Sequence, residues 1–158
     1  MPSTTTTSSS PSSAVTASVV AVTLFLFMAV LQVEIAAGLL PVTIVWGGSQ
    51  SQPTWQTSLA SLVAAGLLMG MAWVIHRRVQ PTPPVVGIRV TSWIITAYMV
   101  LNTVGNALST NVIEQYIFGT LTTALAVSCC VVSCSSVTAG EGNGAVDFLA
   151  SREYESLP

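Results

Sequence analysis

The chain has 158 residues, 51% of them hydrophobic and only 6% charged, with a net charge of −2 and a mean hydropathy of +0.72. A soluble domain carries roughly a quarter charged residues, so this composition excludes an ordinary water-solvated surface. Four basic residues, all arginine, against six acidic ones exclude the basic stripe of a nucleic-acid binder, and the segments between the apolar runs are too short for a soluble catalytic domain.

In chain order, residues 1–13 are almost all Ser, Thr and Pro. They have nothing to bury and are expected to be disordered. Residues 14–137 hold four apolar runs, each near the 20 residues that cross a bilayer as a helix. The first covers about 15–39, with Pro41 expected to end it because proline cannot continue the hydrogen-bonding pattern. The second starts at 55 or 58 and runs to 75, stopped by His76, Arg77 and Arg78. The third covers about 86–108, after the breaker Pro81-Thr82-Pro83-Pro84, and the fourth about 115–137. Residues 138–158 form a polar tail opened by Gly140, Gly142 and Gly144, with a short amphipathic turn expected around 146–149. Backbone polar groups in hydrocarbon must be satisfied within a helix or a closed barrel. The runs lack the alternation of barrel strands. The expected fold is therefore all-α: a four-helix transmembrane bundle with a disordered N-terminal segment and a short polar tail.

Orientation is read from the arginines. Arg77, Arg78 and Arg89 flank the second connection, which places it in the cytoplasm. The loops at 49–57 and 109–114 then lie outside, and both termini lie inside, in agreement with Arg152. Trp46 and Trp55 flank the outer loop, whereas Trp73 and Trp93 lie towards the inner side, as expected of indole rings anchored at the two headgroup levels.

Glu34 is the one acid inside an expected helix. A carboxylate at mid-bilayer costs on the order of 3 kcal/mol. A helix entering at Val15 carries Glu34 roughly 28 Å along its axis at 1.5 Å per residue, close to the full hydrocarbon thickness of about 30 Å. That places it at the outer rim, either as a structural carboxylate or as a proton or cation ligand. On the third run, Tyr98, Asn102, Gly105, Asn106 and Ser109 fall on one helical face. Buried amides seek partners, so this face serves as interhelical glue, with Gly105 allowing close approach, or as the lining of a polar cavity. Gly66 and Gly70 form a GxxxG pair suited to close helix packing, within the chain or between chains. Cys129, Cys130 and Cys134 form no CxxC pair, and the single histidine lies on another segment, so no metal site is expected. No cofactor is expected. No nucleophile, base and orienting group can be assembled, so no catalytic residue is assigned and the chain is not read as an enzyme.

Pro41 with Trp46-Gly47-Gly48 after the first run, and Gly105-Asn106, Ser109 and Glu114 closing the third, give the span from about 31 to 133 a family likeness. It resembles a group of small four-helix integral membrane proteins, mostly bacterial, that have no assigned activity. The resemblance implies an outer-rim cluster of Glu34, Trp46, Gly47, Gly48, Asn102, Asn106, Ser109 and Glu114, in which the first outer loop folds over the ends of the third and fourth helices. Such a cluster is either a structural lid or a shallow solute site. The chain departs from the group in its Ser/Thr-rich start and in lacking basic residues beside Glu114.

Two functional expectations follow. The first is a structural or accessory component of a membrane assembly, with the lipid bilayer, a partner membrane protein or further copies of the chain as partners. The second is a small-solute or ion transporter using Glu34 and the Asn102/Asn106 face. An accessory protein predicts a dry interior and a small-residue groove. A transporter predicts a water-filled polar path that reaches both sides.

Overall fold

The computed structural model describes residues 11–41, 54–80 and 84–135. The expected disordered start up to residue 10, Trp46-Gly47-Gly48 and the whole polar tail, with its amphipathic turn, lie outside the described residues. Among the described residues all regular structure is helical. The helices are α1 (Pro11–Ala36), α2 (Trp55–Arg78), α3 (Val86–Ala107) and α4, which opens as a π-helical turn (Glu114–Phe118) and continues as an α-helix (Gly119–Cys134).

Local chemistry sets the boundaries. The first helix begins at Pro11, earlier than expected and inside the segment expected to be disordered; at the first helical position proline loses no hydrogen bond. It ends at Ala36, before Pro41 is reached. Gly38 sits at φ 74°, donates its N–H to Ile35 O at 3.0 Å, and Leu39 donates to Glu34 O at 2.9 Å. This paired closure requires a left-handed residue after the last helical turn, so Gly38, and not Pro41, is the stop signal. α2 starts with a reciprocal cap: Thr54 Oγ1 accepts from Thr57 N–H at 3.3 Å, and Thr54 N–H donates to Thr57 Oγ1 at 2.8 Å. Its helical geometry continues through His76, Arg77 and Arg78, which the sequence reading placed beyond its end. Between α3 and α4, Asn111 Oδ1 accepts from Ile113 N–H at 3.0 Å, and Gln115 Nε2 donates to Ala107 O at 3.3 Å. Each group satisfies an otherwise orphaned helix-end atom.

The four helices alternate in direction. Ser18 at the start of α1 bonds the carbonyl of Ile75 at the end of α2. Asn106 at the end of α3 bonds Thr122 early in α4, and Thr96, midway along α3, bonds Ser133 near the end of α4. α1 packs most broadly on α2, α3 on α4, and α1 on α4; the α2–α3 side is the loosest of the four. Buried positions recur in steps of three and four: Ala14, Ser18, Ala21, Phe25, Ala29, Gln32 and Ile35 on α1, and Phe118, Thr122, Leu125, Cys129 and Val132 on α4. That step is the signature of helices packed nearly parallel or antiparallel with knobs in holes.

What faces inward is small or hydroxyl-bearing, and what faces outward is large and apolar. Ser18, Ser61, Ser92, Thr96, Thr122 and Ser133 are buried, whereas Val19, Leu26, Phe27, Leu67, Ile94, Leu101 and Val127 are exposed. A water-soluble monomer rarely exposes an apolar patch beyond several hundred Å². Three helices, Ser13–Ala36, Trp55–Arg78 and Glu114–Cys134, are long and apolar enough to cross a membrane. The sequence reading expects four such spans. α3 falls short of the other three in apolarity because it carries Arg89, Thr91, Ser92, Thr96, Asn102, Thr103 and Asn106.

The two ends of the bundle differ. Towards the end of α2, Ala21, Phe25, Ala72, Ile75, Ile95, Met99, Leu125, Ala126, Cys129 and Val132 form a closed core. Ser18, Thr96 and Ser133 tie neighbouring helices together there, and Arg78 adds a further clamp. Towards the start of α2, the helices part around a cavity.

Candidate functional site: a cavity drawn from all four helices

The cavity has a volume of about 390 Å³, within the range of roughly 300–1,000 Å³ of small-molecule sites. Each helix supplies part of its wall: Met28 and Gln32 from α1, Leu67, Leu68 and Met71 from α2, Tyr98, Met99, Asn102 and Asn106 from α3, and Glu114, Phe118 and Thr122 from α4. Leu67 and Tyr98 are more than half or half exposed (60% and 50%) while lining it. The cavity therefore opens between α2 and α3, the neighbouring pair in loosest contact, and it reaches the end of the bundle at Asn106 and Glu114, in the last turn of α3 and at the first residue of α4.

Its polar groups are held from the backbone upward. α4 begins with a π turn, in which Gly119 N–H reaches back to Glu114 O; such turns recur at functional sites. Gly119 is buried, and an added Cβ there would meet Glu114 O at 3.7 Å and Asn106 Cβ at 3.9 Å, ordinary van der Waals contact, so the approach of α3 does not depend on a glycine. Asn106 Nδ2 donates to Thr122 Oγ1 at 3.2 Å, and Thr122 Oγ1 in turn bonds Phe118 O at 2.8 Å. The chain fixes the amide and leaves its oxygen available. Ser109 Oγ donates to Glu114 Oε2 at 2.6 Å and accepts from Asn111 N–H at 3.1 Å, which orients the carboxylate from the connecting loop.

Gln32 is the outlier. Its side chain is 6% exposed, it lines the cavity, and Oε1 is sealed from solvent with no hydrogen-bond partner among the described residues. A buried amide oxygen without a donor costs about 1–3 kcal/mol. Ser61 Oγ, fully buried on α2, is also unpartnered. From the Ser18–Ile75 contact, equal numbers of residues along α1 and back along α2 bring Gln32 and Ser61 to the same level. Arg78 Nε and Nη1, in the closed half, are likewise buried without a partner among the described residues.

The structure brings Asn102, Asn106 and Glu114 to one cavity and ties Ser109 to Glu114. It does not bring Glu34 there. Glu34 is half-buried and lies two residues, about 200° of helix rotation, from Gln32, so Gln32 occupies the cavity position expected of Glu34. Trp46, Gly47 and Gly48 lie outside the described residues. Gly66, Gly70 and Gly105 have nothing within 4 Å of an added Cβ. They face outward, and the expected close packing through them within the chain does not occur among the described residues. Cys129 is buried in the core, while Cys130 and Cys134 are exposed. Among the described residues no group of three His, Cys, Asp or Glu side chains is placed to hold a metal ion.

Arg78 was also unforeseen. Read as an orientation marker beside Arg77, it is 5% exposed and donates from Nη2 to Ser135 O at 3.0 Å and Ser133 O at 3.4 Å. Those carbonyls end α4, so Arg78 caps that helix from α2, and charge at a helix C-terminus is favourable. The signal was present in the spacing: Arg78 lies three residues after Ile75 on the buried stripe, and Arg77 lies off it. Gln32 was equally legible, three residues before Ile35, but a search for charged residues passes over an amide.

Compared with protein-family models, with curated proteins and with solved structures, the chain matches none. The resemblance to the small four-helix group finds no support in those comparisons and carries nothing below.

Proposed function

We propose that the chain is an integral membrane protein whose four helices all cross the bilayer and whose cavity takes up a small solute from one side, as the binding step of a transporter. α3 crosses with the other three: Ser92 and Thr96 are buried and Asn102 and Asn106 line the cavity, while the exposed Arg89 and Thr91 lie in its first two turns, towards the headgroup level. Its exposed side chains include Val90, Ile94, Leu101 and Val104. The arginines near the α2–α3 connection set that end in the cytoplasm, together with both termini. The cavity then belongs to the opposite, non-cytoplasmic half, and the closed core seals the cytoplasmic half.

The observation that carries this reading is a cavity built by all four helices and lined by the Asn102 and Asn106 amides and the Glu114 carboxylate, with Gln32 in its wall. The test is a cavity-filling substitution. Ala64→Trp, at a lining position, should abolish solute-dependent stabilisation of the purified protein in nanodiscs while preserving helical content. Identical solute responses in the variant and the parent protein would defeat the reading.

A second reading, a structural or accessory membrane component, is favoured by a different observation. Gly66 and Gly70 lie on an outward face with open space above them, where a partner helix could approach closely. Cross-linking from a cysteine at position 66 in native membranes tests it; capture of no second chain would remove it.

A further inference from the structure

We propose that the solute of this cavity is an organic ammonium: a protonated amine on an apolar body. The inference rests on the reading of the cavity as a solute site and names the chemistry it would select.

The lining fixes the sign of the ligand first. It contains a single carboxylate, Glu114, and no basic side chain. An anion would meet that carboxylate in a low-dielectric wall with no compensating charge. The hydrogen-bonding sense of the wall agrees. Gln32 Oε1 lies in the wall without a partner among the described residues but closed to solvent, so it meets a ligand only when its side chain turns. Asn106 donates one N–H to Thr122, and its oxygen is free to accept. Glu114 has one oxygen occupied by Ser109 and a second that can accept. The Asn106 and Glu114 oxygens can both accept from a ligand that donates several hydrogen bonds, and an ammonium group has donors only. Bonds from a charged donor to such oxygens are roughly twice as strong as neutral ones.

The rest of the wall fixes the body. Met28, Leu67, Leu68, Met71, Met99 and Phe118 are apolar. Thioethers are polarizable and fit irregular shapes, and the Phe118 and Tyr98 rings offer the negative face that attracts cations. A bare inorganic cation would use the oxygens and leave this larger apolar surface idle. A neutral hydrocarbon would use the apolar surface and leave Gln32 unsatisfied. The opening between α2 and α3 gives an amphiphile a path from the membrane itself.

The test uses the full chain in lipid nanodiscs and three probes of one size: 2-phenylethylammonium, 2-phenylethanol and 3-phenylpropanoate, with sodium chloride titrated separately. Binding is read by calorimetry and by the shift in thermal unfolding, since a ligand that binds only the folded state raises its stability. The ammonium should bind about tenfold more tightly than the alcohol, the advantage expected of a charged over a neutral hydrogen-bonding group, and the carboxylate should not bind. Glu114→Gln should remove that advantage and leave alcohol binding intact, which also shows that the variant is folded. Gln32→Leu should weaken the ammonium more than the alcohol. Equal affinity for alcohol and ammonium would overturn the ligand class and leave the cavity reading standing. Saturable binding of sodium without the ammonium would overturn it in favour of an inorganic cation. No binding of any probe, with the protein folded, would overturn both the class and the reading beneath it.

Discussion

Replacing Gln32 by Leu should make the ligand-free bundle more stable. Gln32 is buried at 6% exposure, its Oε1 has no donor among the described residues, and it lines the cavity together with Met28, Leu68 and Met71. Leucine is close to glutamine in size and carries nothing that needs a partner. Relief of an unsatisfied buried amide is worth about 1–3 kcal/mol. Some of that gain is lost because the unfolded chain in a membrane or micelle also finds partners for its polar groups. We therefore expect a stabilisation of about 1–2 kcal/mol, a factor of roughly 5–30 in the ratio of folded to unfolded protein. Gln32→Ala should gain less, because it also empties volume beside an existing cavity. The assay is equilibrium unfolding in mixed micelles with rising dodecyl sulfate, followed by far-UV circular dichroism. Adding 2-phenylethylammonium should reverse the order, stabilising the parent protein more than the variant. A loss of stability of similar size in Gln32→Leu would refute the reasoning: the amide would then have a donor in the membrane. Ser61 Oγ, unpartnered at the same level of α2, would be the first group to examine, by a double-mutant cycle.

The closed end of the bundle gives the opposite kind of prediction. Ala21 is fully buried, so Ala21→Leu should cost about 1–3 kcal/mol through overpacking, read in the same unfolding assay. Gly70→Ile should leave monomer stability nearly unchanged, because nothing lies within 4 Å of its added side chain; loss of cross-linked dimer in that variant would locate the contact between chains. Arg78→Lys should loosen the end of α4, since a single ammonium replaces the guanidinium fork at Ser133 and Ser135; hydrogen exchange should rise over residues 131–135 and not at the start of α4. In detergent, an apolar maleimide should modify Cys130 and Cys134 and spare Cys129, which lies in the core; equal modification of all three would contradict the packing of α4.

Much of the fold was legible in composition and length, because a bilayer imposes helices on any long apolar run. The boundaries followed from local chemistry of unequal visibility. Pro41 is conspicuous in the sequence, but Gly38 stops α1 first, and only its positive φ shows why. The inward faces were harder to read. In a soluble helix the buried stripe is the hydrophobic one, whereas here the outside is apolar too, so the inside is marked by small and hydroxyl residues such as Ser18, Ser92 and Ser133. Asn102 and Asn106 stood out because amides are rare in such surroundings. Gln32, Arg78 and Gly119 did not stand out, although each lies at the three-or-four step from a buried neighbour. Glu34 drew notice by its charge, yet its helical phase turns it away from Gln32 and the cavity. The GxxxG pair could not be assigned a side from sequence, because spacing fixes which residues share a face and says nothing about what covers that face.

The most direct test of the central claim is cysteine accessibility in intact membranes. In a variant with Cys129, Cys130 and Cys134 replaced by alanine, single cysteines are placed at positions 32, 102 and 106 in the cavity and at positions 21, 95 and 132 in the core. A membrane-impermeant maleimide is added to one side at a time. The account predicts labelling at 32, 102 and 106 from the non-cytoplasmic side alone, and none at 21, 95 or 132 from either side. Labelling of the core positions, or of the cavity positions from the cytoplasmic side, would contradict a bundle sealed at one end and hollow at the other.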